Sequence, residues 1–286
     1  MGPQKGRFMD SRVITITSGK GGVGKTTTTA NLGTALAMQG KKVAVVDADI
    51  GLRNLDAILG LENRIVYDLV DVVEGQCRLR QALIKDRRLP ELYLLPAAQT
   101  RDKNAVNSIQ MEQLCQQLRQ EFDFVLIDSP AGIEQGFRNA IVGANEIVIV
   151  ANPEMASVRD ADRIIGLVEA AGKAEPRLIL NRLRPEMVKR GDMMDVADVL
   201  EVLGIDLLGI IPEDEAIIVA TNKGEPAVYD KRSKAGNAFL NTAQRLLGDE
   251  IPLDEFEESP SLLERLRRLV GFGPAPTEKR IRSQSS

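Results

Sequence analysis

The stretch TSGKGGVGKTTTTANLG, Thr17 to Gly33, decides how the rest of the chain is read. It follows the apolar, β-branched run VITITS from Val13 and opens a helical pattern that ends near Gly40. Within it, Gly19 to Thr26 match G-x-x-x-x-G-K-[ST] in a strand-to-helix setting. In such a loop, glycines let successive backbone N–H groups turn inward around phosphate oxygens, and the helix N-terminus adds partial positive charge. Gly19, Lys20, Gly21, Gly22, Val23, Gly24, Lys25, Thr26 and Thr27 form the expected cradle for ATP. Lys25 would reach the β- and γ-phosphates, and the Thr26 hydroxyl would ligate Mg2+. The rival interpretation is an ordinary Gly-rich turn ahead of a helix. A phosphate loop needs one lysine, so Lys20 is surplus; so early in the loop it is placed to project outward, where it is either a plain surface lysine or a charge meant for something else.

Outward from this loop, apolar runs alternate with helical patterns. VAVVDAD (from Val43), LYLLPA (Leu92), FVLIDSP (Phe124), EIVIVANP (Glu146), RLILNR (Arg177) and DLLGIIPED (Asp206) read as strands. Val106 to Gln120 and Val158 to Ala171 read as helices. Continuous apolar strands are those buried on both faces, and their alternation with helices implies right-handed βαβ crossovers. The expected fold is α/β, a doubly wound, mostly parallel sheet flanked by helices, with ligands beyond the carboxyl ends of the strands. The expected organisation is an N-terminal extension over 1–12, a nucleotide-binding domain over 13–248, an acidic linker over 249–260, an amphipathic helix over 261–273 and a disordered tail over 274–286.

Three carboxylates end predicted strands. Asp128, in FVLIDSP, suits Mg2+, directly or through water, although an aspartate there also caps turns. Asp47 and Asp49, in VVDADIGLRN, are two apart, and in extended backbone such residues point the same way. One would serve the metal's water shell and the other would orient the attacking water, with turn formation as the alternative for whichever points away. Asp47 is assigned to the metal and Asp49 to catalysis beside Lys20 and Lys25.

Composition removes several classes of function. The chain of 286 residues contains no histidine, which excludes His-based triads, metal sites and pH switches. Aromatics at 3% leave no base-stacking platform, and a net charge of −4 argues against a uniformly basic surface built to coat nucleic acid. Cys77 and Cys115 lack metal-ligand spacing and read as reduced core thiols. The start, MGPQKGRFMDSR, has no secretory apolar run, no apolar stretch is long enough to span a bilayer, and Met9 offers an alternative start. The expected location is cytosolic, with peripheral membrane contact.

KGGVGKTTT resembles the deviant phosphate-loop signature of the MinD/ParA ATPases. That resemblance implies that Lys20 reaches across a dimer interface to the partner's nucleotide. DADIGLRNLD, LPAAQTRDK, IDSPAGIE, NPEMASVRDADR and IPED extend the likeness from about Val13 to about Gly273, toward the branch of the family that positions the bacterial division site. It implies an ATP-bound homodimer; an adenine pocket lined by Asn181, Arg182, Pro212 and Glu213; Asp49 as the switch carboxylate; and contact with a MinC-like division inhibitor around Arg159, Asp160 and Asp162. It also implies a MinE-like activator. The alternatives are a ParA-type ATPase that partitions DNA by non-specific binding and a scaffold that binds ATP without cleaving it. A metal-cluster carrier or an electron-transfer reductase of this fold would need paired cysteines that the chain lacks.

In SLLERLRRLVGFG, Leu262, Leu263, Leu266, Leu269 and Val270 share one helical face while Arg265 and Arg268 lie off it. Such a stripe packs on the protein's own core or lies on an anionic membrane surface. Isolation behind an acidic linker favours the membrane, and the family's amphipathic targeting helix agrees. The chain continues past it, with Lys279, Arg280 and Arg282 in the last residues.

Overall fold

The computed structural model describes residues 11–102 and 104–253; the leucines and Val270 of the expected membrane helix, the expected tail and most of the expected acidic linker lie outside them. Among the described residues, eight strands form one sheet in the order β3-β4-β2-β5-β1-β6-β7-β8. They are β1 (Arg12–Thr17), β2 (Val43–Asp47), β3 (Ile84–Lys85), β4 (Leu92–Leu95), β5 (Phe124–Asp128), β6 (Glu146–Ala151), β7 (Arg177–Leu183) and β8 (Leu207–Pro212). All neighbours pair parallel except β3, which runs antiparallel to β4 at the edge. The seven longer strands coincide with the apolar runs of the sequence. β3, two residues long, is too short to leave a periodic signal.

Every residue of β2 and β5 is buried because both faces of the sheet are covered. On one face the core gathers Ile14, Leu36, Val45, Leu126 and Phe239; on the other it gathers Val13, Val46, Leu114, Val125 and Ile127. The helix after the phosphate loop, α1 (Lys25–Met38), is buried along nearly its whole length. Its small residues make that possible: a Cβ on Gly33 would overlap the Val45 side chain, so helix and sheet meet here at backbone distance. Two of its hydroxyls bond back into the helix, Thr34 Oγ1 donating to the Ala30 carbonyl at 2.7 Å and Thr29 Oγ1 to the Lys25 carbonyl at 3.0 Å, while the buried Thr28 hydroxyl has no partner among the described residues.

Two helix boundaries differ from expectation. α5 spans Ser108–Arg119 because Asn107 and Gln110 form a reciprocal capping box, which leaves Val106 buried ahead of the helix. α7 spans Met155–Ala170 and starts three residues before Val158, since the chain turns directly out of β6 through Asn152 and Pro153. The start of the predicted linker folds back on α11 (Lys234–Leu247), the last helix among the described residues, where Arg245 Nε donates to the Ile251 carbonyl at 2.8 Å. Among the described residues, no helix is long and apolar enough to cross a membrane.

Candidate functional site

The phosphate loop leaves β1 in the middle of the sheet, where the strand order changes direction between β5 and β6. Gly22 and Gly24 have φ of +79° and +99°, which turn the backbone inward at two points that favour glycine. Gly24 caps α1 without a side-chain hydrogen bond, so first-turn amides remain open for an anion. A Cβ on Gly24 would overlap Asn181 Nδ2, and that amide donates to the Val23 carbonyl at 2.7 Å. Asn181 on β7 therefore braces the loop. A Cβ on Gly19 would come within 2.6 Å of Asp160 Cβ, so the loop also rests on α7.

Lys25 is buried, and that burial lowers its pKa against the opposing pull of Asp128 and Asp49. Asp128 ends β5 directly beside Asp47 in the β2–β5 register. Burial raises the Asp128 pKa, the Asp47 charge adds to the rise, and the Thr26 hydroxyl and Lys25 oppose it. The Thr29 hydroxyl of α1 donates to Asp128 Oδ1 at 3.4 Å, and the Thr26 hydroxyl lies near enough to act on the same carboxylate, so hard oxygen groups of the kind Mg2+ takes gather beneath the loop. Lys20 is exposed; its carbonyl accepts the Ser18 hydroxyl at 2.7 Å. Asp49 is half-buried and near enough for its charge to act on Lys25 and Asp128.

The expectation that Asp47 and Asp49 project from one extended strand is corrected. β2 ends at Asp47, and the Asp47 carboxylate accepts the Asp49 amide at 3.0 Å, turning the chain at that point. Its other oxygen accepts the Asn54 and Leu55 amides at 3.1 and 3.2 Å.

Of the expected adenine residues, Arg182 and Glu213 line a cavity of about 840 Å3 at the carboxyl ends of β7 and β8, together with Glu154, Met155 and Arg184. Pro212 sits in the sheet opposite Leu183, and Asn181 is turned to the loop instead. Arg182 has φ +59°, at the irregularity where β7 slips register against β8. Arg159 and Asp162 are exposed on α7, and Asp160 pairs with Arg163 at 3.7 Å. The contact of Gly19 with Asp160 was not legible in the sequence, because two glycine-loop and helix residues so far apart carry no shared pattern. Asp214, in the IPED motif, proves to be a structural hub that accepts the Ala216 amide, the Ser233 hydroxyl and the Ala235 amide. Its following residues, Glu215–Asn222, form α10.

Burial also raises the Asp47 pKa, and the two raised carboxylates give the site a pH signature. The native pocket holds protons that unfolded carboxylates, with pKa ~4, release. Stability contributed by this excess is present at low pH and is lost as pH climbs from there through neutrality. We expect the melting temperature of the nucleotide-free protein to fall over that range, and Asp128→Asn to flatten the fall; a wild-type profile that rises instead would contradict the assignment.

Residues 14–227 match the CobQ/CobB/MinD/ParA nucleotide-binding domain. The septum site-determining protein MinD of Bacillus subtilis is 55% identical over 261 residues, covering 90% of this chain and 97% of its own. A MinC:MinD cell division protein complex from Aquifex aeolicus contains a chain that superposes with a TM-score of 0.82 at 50% identity, covering 87% of this chain and all of its own. MinD from Pyrococcus horikoshii, complexed with Mg-ADP, superposes at 0.76 with 32% identity, over 84% of this chain and all of its own. With the phosphate loop, the acids beneath it and the sheet order all in agreement, the chain belongs to the MinD branch of the MinD/ParA family of nucleotide-binding proteins.

Proposed function

We propose that this protein is an ATPase that dimerises on ATP, cycles onto the inner face of the cell membrane as a peripheral protein and recruits a division inhibitor to help place the septum. The observation that carries the reading is the division of labour between two lysines of one loop, Lys25 buried beside Asp128 and Lys20 exposed at the mouth. Phosphoryl transfer is accelerated chiefly by positive charge placed around the phosphates, and such charge can come from a neighbouring molecule. Lys20 serves the partner's triphosphate, so two subunits enclose two nucleotides. Thr26 and Asp128 would hold Mg2+, which neutralises developing phosphate charge when bound. Asp49 orients the attacking water and accepts its proton. Lys25 and the loop amides hold the phosphates; the cavity at Arg182 and Glu213 stands beside the expected base site.

The relatives' names supply the cellular setting: a MinC:MinD complex favours a MinC-like inhibitor as partner, seated on α7 around Arg159, Asp160 and Asp162. A MinE-like activator would raise a slow intrinsic turnover. Dimerisation couples to the membrane through arithmetic. A single short amphipathic segment is a weak anchor, whereas two on one dimer bind at high effective concentration. The test is sedimentation with anionic vesicles in ATP and in ADP. Pelleting only in ATP is the expected result; pelleting with DNA instead would establish the ParA-type partition reading.

Leu266→Glu separates the two halves of this proposal. A carboxylate in the middle of the apolar stripe is expected to abolish vesicle pelleting, because burying a Leu contributes about 1.5–3 kcal/mol per copy and two copies are lost. ATP binding should be unchanged. Normal pelleting of the variant would show that Leu262, Leu263, Leu269 and Val270 do not form the lipid-facing stripe with it.

A further inference from the structure

The loop that carries Asp49 is held by Asp47, the aspartate that the sequence assigns to the metal. Asp47 is 1% exposed, and both carboxylate oxygens are engaged by backbone: Oδ1 accepts the Asp49 amide and Oδ2 accepts those of Asn54 and Leu55. The segment between them is tightly wound. The Leu52 amide donates to the Asp49 carbonyl at 3.1 Å, and the Gly51 amide reaches the Ala98 carbonyl at 2.8 Å. Arg53 takes a positive φ of +35°, which a side chain rarely adopts, and its guanidinium pairs with the buried Asp56 at 2.9 Å. Leu55 begins α2 (Leu55–Leu59), whose far end is fixed as well. Arg88 donates to the Leu59 carbonyl at 2.6 Å and the Gly224 carbonyl at 3.0 Å, and the Gly60 and Gly224 backbones touch.

We propose that Asp47 is a positioning residue for hydrolysis: its carboxylate is the hub on which the 48–54 loop is wound, and it acts through the placement of Asp49 instead of through the metal's water shell. The proposal rests on the ATPase reading above. A carboxylate offers about four acceptor sites. Three are filled by amides, two on the loop that follows the strand and one at Leu55, where that loop enters α2. Asp128, its neighbour in register, has the other character: it accepts the Thr29 hydroxyl of α1 at 3.4 Å beneath the phosphate loop and lies within the field of Lys25. Two adjacent buried aspartates are thereby divided, one facing the metal site and one facing its own backbone.

Asp47→Asn is the direct test, since the new amide group donates where the loop amides need an acceptor. In full-length protein with anionic vesicles, the variant is expected to lose about 10- to 100-fold in kcat while KM for Mg-ATP stays within about 3-fold. The Mg2+ concentration that half-saturates ADP binding should stay at the wild-type value in Asp47→Asn and rise in Asp128→Asn. A rise in both would overturn the proposal and return Asp47 to the metal shell. Wild-type protein supplies a second measurement that needs neither folding of a variant nor turnover. Amide hydrogen exchange at Asp49, Asn54 and Leu55 should be slow without nucleotide or Mg2+ and unchanged by adding Mg-ADP. Fast exchange that slows only when metal arrives would overturn the hub. If wild type itself releases no phosphate, the ATPase reading fails, while the exchange result still decides what Asp47 holds.

Discussion

Lys20→Ala is expected to leave a folded, nucleotide-binding monomer that no longer dimerises with ATP. The side chain is exposed, and the Ser18 hydroxyl bonds to its backbone carbonyl, which alanine retains. Exposed substitutions of this kind change stability within about ±0.5 kcal/mol, so the melting temperature should move by no more than about 2 °C. Loss of a cation supplied in trans to a transferring phosphoryl group is far larger, on the order of 10³-fold in turnover. Light scattering on the variant with ATP should give the ADP-state mass, and phosphate release on vesicles should fall to the unstimulated level. An ATP-dependent dimer at wild-type yield would remove the central premise of the proposed function. Lys25→Ala provides the contrast. That lysine is buried in the loop beside Asp128, so its loss should abolish nucleotide binding itself and leave no bound state to dimerise.

The sheet was legible because its strands announce themselves. A run such as FVLID is buried at every position, so apolar continuity is the physical cause of the pattern as well as its signal. β3 escaped because two residues cannot show periodicity. The phosphate loop was legible for a different reason: its glycines answer to backbone geometry, as the positive φ of Gly22 and Gly24 shows. Contacts across the fold were not. Nothing in the sequence links Asn181 to Val23, or Asp160 to Gly19, since each pair is joined only when β7 and α7 arrive beside the loop. The Asp47–Asp49 spacing misled for an identifiable reason. Strand geometry was extended two residues too far, past the point where a carboxylate that accepts its own following amides ends the strand.

Gly24→Ala should be the most damaging single methyl that can be added to the site. Two penalties act at one carbon. With φ at +99°, the backbone lies outside the region an alanine occupies without strain, a cost of about 1–3 kcal/mol. The new Cβ would also overlap Asn181 Nδ2, so relief requires that amide to leave the Val23 carbonyl, which is otherwise buried without a partner. Such a loss costs about 1–3 kcal/mol more. Neither group can yield independently, because Asn181 is fixed at the end of β7 and Gly24 opens α1. The sum, about 2–6 kcal/mol, falls on the loop conformation that presents amides to phosphate. Nucleotide affinity measured by calorimetry should therefore weaken by at least about 30-fold, at about 1.4 kcal/mol for each factor of ten. Gly166→Ala is the control: it lies exposed on α7, outside the phosphate loop, and its Cβ would meet no atom within 4 Å. Its affinity should stay within about 3-fold of wild type. Equal losses in the two variants would mean that the brace from β7 plays no part in holding the loop open.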